Sequence, residues 1–97
     1  MDRPKEEDRE LIEFKELYKS NAPMLIFYAG KYVNAIAAED LVQDVFFKIW
    51  QKRTFLFLKE GIRTYLYRSV QHACLDYLKH QEVKGDYINT VTTQLKI

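Results

Sequence analysis

A chain of 97 residues, 47% hydrophobic and 30% charged with a formal net charge of +1, holds enough apolar material for one core and little room for a second domain, which excludes wholesale disorder. No run approaches the roughly 18 consecutive apolar residues of a membrane span, the charged start MDRPKEEDRE is no export signal, and the single cysteine, Cys74, excludes an internal disulfide. A cytoplasmic protein without membrane insertion is expected.

Only three Gly and two Pro interrupt the chain, and apolar residues recur at spacings of three and four. This pattern predicts an all-α fold, a compact bundle of about four helices joined by short loops. The first spans about Glu6 to Tyr18, with Leu11, Phe14, Leu17 and Tyr18 on one face, and ends near Ser20-Asn21. Pro23 suits the first turn of a second helix capped by Ser20 or Asn21, where its missing amide has no partner to lose. That helix turns Leu25, Tyr28, Ala29, Tyr32 and Val33 inward and fades near Asn34.

The third helix, about Ala37 to Lys52, carries Glu39 and Asp40 in its first turn, where negative charge suits the helix dipole. At about 100° per residue, Ala38, Leu41, Val42, Val45, Phe46 and Ile49 share its core stripe. Phe47 points away from that stripe, with Asp40, Gln43, Asp44 and Trp50 around it. An aromatic pair among polar groups fits either the centre of an interface or a cover over a neighbouring loop.

A loop, RTFLFLKE from Arg53 to Glu60, leads to the fourth helix, about Ile62 to Gln81. Ile62, Leu66, Ser69, Val70, Ala73 and Tyr77 form its inner side, with Tyr65 at the edge. Thr64, Arg68, Gln71, Leu75 and Lys79 form its outer side, flanked by Tyr67 and His72. Gly85 and the Thr-rich stretch beyond it predict a tail or linker. Charge is uneven along the chain. Residues 1–20 hold seven acids and five bases, whereas residues 51–79 hold six bases (Lys52, Arg53, Lys59, Arg63, Arg68, Lys79) against Glu60 and Asp76, an excess of +4. Such an excess attracts a polyanion, although it is equally the pattern of a solvated face.

The string AEDLVQDVFFKIW, Ala38 to Trp50, resembles region 2.2 of the extracytoplasmic-function (ECF) sigma factors, D-L-x-Q-[DE]-x-F, through Asp40, Leu41, Gln43, Asp44 and Phe46. The segment IRTYLYRSVQHACLDYLKH resembles their regions 2.3 and 2.4 through Arg63, Leu66, Tyr67, Arg68, Asp76, Leu78 and Lys79. Two positions depart from that pattern: the family's frequent Trp is Tyr65 here and its frequent Asn is His72, which leaves the preferred base open.

The resemblance covers about residues 10 to 82. It implies a sigma region 2 domain over 1–82, and a tail or the start of a linker to an absent region 4 domain over 83–97. It also implies a promoter-recognising domain for transcription initiation, with no catalytic site and no cofactor. Docking on a coiled coil of the RNA polymerase β′ subunit falls to Asp40, Gln43, Asp44 and Phe47, with Trp50 beside them. Contacts to the minus-ten promoter element and its single-stranded non-template strand fall to Lys52, Arg53, Arg63, Thr64, Tyr67, Arg68, Gln71, His72 and Lys79. Phe55 and Phe57 are candidate stacking surfaces for a flipped base, against which stands a packing role for Phe55, Leu56 and Leu58. An anti-sigma factor is a further partner of the family.

Two rival readings are weighed against this. His72, Asp76 and His80 lie four apart, a spacing that metal ligands share, but Asp76 more simply bonds its helical neighbours. The other rival is a helical interaction module that binds a helical protein through Phe47 and Trp50 without touching DNA.

Overall fold

The computed structural model describes the backbone of residues 5–95 and the side chains of residues 5–81. Four helices follow in chain order: α1 (Glu6–Ala29), α2 (Ala35–Lys52), the single turn α3 (Thr54–Phe57) and α4 (Ile62–Leu95). Among the described residues there is no strand, as the helical periodicity predicts.

α1 opens on Glu6, Glu7 and Asp8, whose charge complements the amino end of the helix. It then runs unbroken through Pro23, where two helices were expected. The apolar stripe explains the difference. Phe14, Leu17 and Tyr18 before the proline pack against the same core as Ala22, Leu25 and Ala29 around and after it, and a break would turn one set away. Pro23 and Lys19 are exposed, so the carbonyl that Pro23 leaves without an amide lies on the solvent side. Asn21 is no cap; its side-chain amide donates to the Leu17 carbonyl at 2.9 Å inside the helix.

α2 starts two residues earlier than its charge pattern suggests, because Asn34 caps it. Asn34 has extended backbone, and its Oδ1 accepts from the Ala37 amide at 2.8 Å, the usual arrangement for an asparagine cap. Glu39 and Asp40 consequently fall in the second turn, and the first turn holds no acid.

α4 continues past Gly85 to Leu95, where the sequence predicts a helix end near Gln81 and a tail or linker beyond it. Extending an existing helix carries no nucleation cost, and one glycine costs only about 1 kcal/mol. The side chains of residues 82–97 lie outside the described residues.

The core is where α1, α2 and α4 meet. Leu25 of α1, Val42, Phe46 and Ile49 of α2, and Leu66, Val70 and Cys74 of α4 are fully buried. Burial of each large apolar side chain contributes about 1.5–3 kcal/mol. No buried side-chain polar atom lacks a partner among the described residues. Cys74 takes a core position that the periodicity had given to its neighbours Ala73 and Tyr77, which are half-buried.

Candidate functional site

The outer face of α2 is where its periodicity puts it. Asp40, Gln43, Asp44 and Phe47 are all exposed, Phe47 by 59%. Ile36, unnoticed in the sequence, joins them with 78% exposure. Positions 36, 40, 43 and 47 follow the four-three-four spacing of one helix face, so this stripe has an apolar residue at each end and polar groups between. Gln43 donates to Glu39 across one turn at 3.4 Å. Beside the stripe, an open groove of about 680 Å³ is lined by Ile36, Asp40, Leu41, Asp44 and Tyr77 among others. The signal that could have found Ile36 is its register with Phe47 once Asn34 is taken as the cap.

Trp50 does not share that face. Its ring packs 5.1 Å from Phe14 and lies nearly parallel to Phe55, at 6.2 Å and 9°. The Arg53 guanidinium covers it at 3.7 Å. Of the two outer aromatics expected, Trp50 is the one that covers a neighbouring loop, and Phe47 is left alone on the exposed face.

The same junction absorbs two residues expected at the nucleic-acid face. Arg53 ends α2 in the left-handed conformation, φ 54° and ψ 32°, a backbone state that costs a non-glycine residue about 1 kcal/mol or more. Three contacts hold it there: an ion pair from Nε to Glu10 at 2.9 Å, the Trp50 ring beneath it, and a hydrogen bond from Nη1 to the Trp50 carbonyl. This sharp turn sends the next two phenylalanines in opposite directions. Phe55 is 3% exposed and packs on Phe14 at 5.7 Å, so no base can stack on it. Phe57 is 79% exposed. Leu56 is half-buried against the core, in keeping with the packing alternative, while Leu58 stays exposed.

α4 presents Arg63, Thr64, Arg68, His72, Leu75 and Lys79 to solvent, and Lys52 at the end of α2 is exposed as well. At 100° per residue, Thr64, Arg68, Leu75 and Lys79 lie opposite the buried Leu66, Val70 and Cys74. His72 lies on the α2 side, in a groove of about 260 Å³ that also holds Lys48, Lys52, Tyr65 and Asp76. Lys48 and Lys52 of α2 therefore border α4, which carries Arg63, Arg68 and Lys79 of its own.

Tyr67 and Gln71 are half-buried and turn toward α1. Tyr67 meets Tyr28 edge to face at 5.1 Å, and Tyr28 meets Tyr32 in the same way at 5.5 Å. The Tyr28 and Tyr32 hydroxyls are 3.2 Å apart, and Gln71 donates to the Tyr32 oxygen at 3.4 Å. The bond shared by the two hydroxyls, in which either can be the donor, raises the Tyr28 pKa above the ordinary range. Tyr32 is shifted downward by the same bond and by the one that Gln71 donates. Tyr28 and Tyr32 face inward as the periodicity predicts and pack half-buried against the core, and they also join α1 to α4.

Among the described residues no group of three or more His, Cys, Asp and Glu is placed to hold a metal. His80 bonds the Asp76 backbone carbonyl through Nδ1 at 2.8 Å. Burial pushes the Cys74 thiol upward, which suits a packing role rather than a nucleophile. Among the described residues no helix is long and apolar enough to cross a membrane.

Against known proteins, the family model described as Sigma-70 region 2 matches residues 17–83. No curated protein and no solved structure gives a significant match.

Proposed function

The chain belongs to the Sigma-70 region 2 family, the RNA polymerase-binding domain of sigma factors in transcription initiation, and from that premise we propose that two separate faces divide its work. The outer stripe of α2 docks on the β′ coiled coil of the polymerase core through Asp40, Gln43, Asp44 and Phe47. The outer face of α4, with Lys52 at its border, binds the minus-ten promoter element and keeps its non-template strand single during opening. Phe57, at the turn between them, offers its ring to a flipped base. The motif in α2 supports placing the domain in the ECF branch, and we take the protein as a cytoplasmic bacterial factor with an anti-sigma factor as a further partner.

The observation that carries this reading is the exposure of both sets at once: Asp40, Gln43, Asp44 and Phe47 on α2, and Thr64, Arg68 and Lys79 on α4, all open on one shared core. Exposed apolar side chains, Ile36 and Phe47, interleaved with polar groups along one helix face suit a protein interface. Cations with hydrogen-bonding side chains suit phosphates and bases. Trp50, Phe55 and Arg53 support these faces from behind by fixing the turn between them.

Two binding measurements test it. With core polymerase present, Arg68→Ala and Lys79→Ala should weaken binding of a single-stranded minus-ten oligonucleotide, and unchanged binding would remove the DNA role. In a pull-down of the β′ coiled coil, Gln43→Ala and Asp44→Ala should recover less, and equal recovery would remove the docking role. A loss of coiled-coil capture alone, with no DNA binding by any form, would favour the helical interaction module instead.

A further inference from the structure

The carboxyl-terminal end of α1 carries an apolar and cationic patch that the proposed faces leave unused. Phe27 is 67% exposed and Met24, one turn before it, is exposed too. The Lys31 ammonium sits 5.6 Å from the Phe27 ring centroid. No acidic residue occurs between Glu16 and Glu39, so this stretch of α1 and the following turn carry only positive charge. On the helical wheel, Met24 and Phe27 continue outward from the side of α1 where Tyr28 meets Tyr67. Arg63 precedes Tyr67 by four residues, one turn earlier on the same flank of α4, and is exposed. The tyrosines thus join the α4 face to the α1 patch without an intervening carboxylate.

An open aromatic ring beside cations, with no acid between them, complements a polyanion that has bases free to stack. Duplex DNA offers no free base faces, and the patch is continuous through Tyr28 and Tyr67 with the α4 face proposed to hold the strand. We propose that Phe27, Met24 and Lys31 form a second contact for single-stranded DNA. A base of the strand leaving the Tyr67 side of α4 lies on the Phe27 ring, and neighbouring phosphates lie near Lys31 and Arg63. The inference rests on α4 holding the single strand, and it lengthens the tract held by this domain beyond that face.

The test uses the full chain bound to core polymerase and a single-stranded oligonucleotide with 2-aminopurine at successive positions, from within the minus-ten element outward on both sides. Stacking on Phe27 should quench the probe at a position outside the tract that responds to Arg68→Ala. Phe27→Leu, which keeps an apolar side chain and removes the ring, should restore that emission. It should also weaken binding of the longer oligonucleotide about fivefold, the low end for one stacked base, while a shorter one confined to the minus-ten element binds unchanged. Lys31→Gln should lower the slope of log affinity against log salt by about 0.7, the value for one phosphate on a single strand.

If Arg68→Ala weakens binding but Phe27→Leu and Lys31→Gln change nothing at any probe position, the α1 contact is overturned and the α4 reading stands. If Arg68→Ala has no effect either, both fall. Phe27→Leu weakening capture of core polymerase, rather than of the oligonucleotide, would make the patch a protein contact and overturn the proposal.

Discussion

Replacing either of two phenylalanines two residues apart separates stability from binding. Phe55 is buried in a cluster with Phe14 and Trp50, at 5.7 and 6.2 Å, under the turn that Arg53 makes. Removing a buried phenylalanine ring costs about 3–5 kcal/mol, through lost transfer energy and the cavity left behind. A domain of this size has about 5–15 kcal/mol in total, and each kilocalorie moves its Tm by about 4–8 °C. Phe55→Ala should therefore lower Tm by at least about 12 °C and shift the urea midpoint far to the left, followed by far-ultraviolet circular dichroism. Phe55→Leu, which keeps most of the volume but loses the two ring pairs, should cost about 1–2 kcal/mol and leave a folded protein for binding work. Phe57→Ala removes an exposed ring, so its stability should stay within about 0.5 kcal/mol of the parent. Stacking contributes about 1–3 kcal/mol per base, so the same change should weaken minus-ten oligonucleotide binding about fivefold or more. Equal destabilisation by the two alanine variants would refute the assignment of Phe55 to the core and Phe57 to the surface. So would a loss of oligonucleotide binding by folded Phe55→Leu that Phe57→Ala does not show.

Four further outcomes follow from the same contacts. The Arg53–Glu10 ion pair is partly solvated, so a double-mutant cycle with Glu10→Gln and Arg53→Lys should give a coupling of at most about 1 kcal/mol that shrinks in salt; a larger, salt-independent value would contradict this. Cys74 holds its proton more tightly folded than unfolded, so its contribution to stability is complete below the ordinary thiol range of about 8.5 and is lost as pH rises through the folded value. Cys74→Ala, although less stable throughout, should lose less stability between neutral and alkaline pH than the parent, read from urea midpoints. In an NMR titration that resolves the Tyr32 ring, Tyr28→Phe should move the Tyr32 ionisation to higher pH, because the bond between the two hydroxyls holds it down; an unchanged Tyr32 ionisation would argue against the shared hydrogen bond. Finally, Ile36→Ser should weaken capture of core polymerase while leaving Tm nearly unchanged, given its exposure.

Much of the fold was legible because its helices obey a single period. The core stripe of α2 follows directly from Ala38, Val42, Val45, Phe46 and Ile49, and Leu66 and Val70 do the same for α4. Both faces proposed for binding follow as what the stripes leave over. The errors arise where local rules met tertiary packing. Pro23 and Ser20-Asn21 signal a helix boundary, yet the continuity of Tyr18, Ala22 and Leu25 on one core outweighs it. Phe55, Phe57 and Trp50 could not be sorted by period, because their directions depend on a left-handed turn at Arg53 that no glycine announces. The inward turn of Tyr28 and Tyr32 follows from the period, but their hydroxyl network does not, because it needs Gln71, 39 residues away from Tyr32.

The central claim is that polymerase docking and strand holding reside on different helices. Its most direct test is a titration of the chain into core polymerase at a fixed, subsaturating concentration of labelled minus-ten oligonucleotide, following the ternary complex by anisotropy. Asp44→Ala should move the midpoint to higher chain concentration and reach the parent's plateau, whereas Arg68→Ala should keep the midpoint and lower the plateau. If both variants change midpoint and plateau in the same way, the two faces do not work separately and the division of labour is wrong.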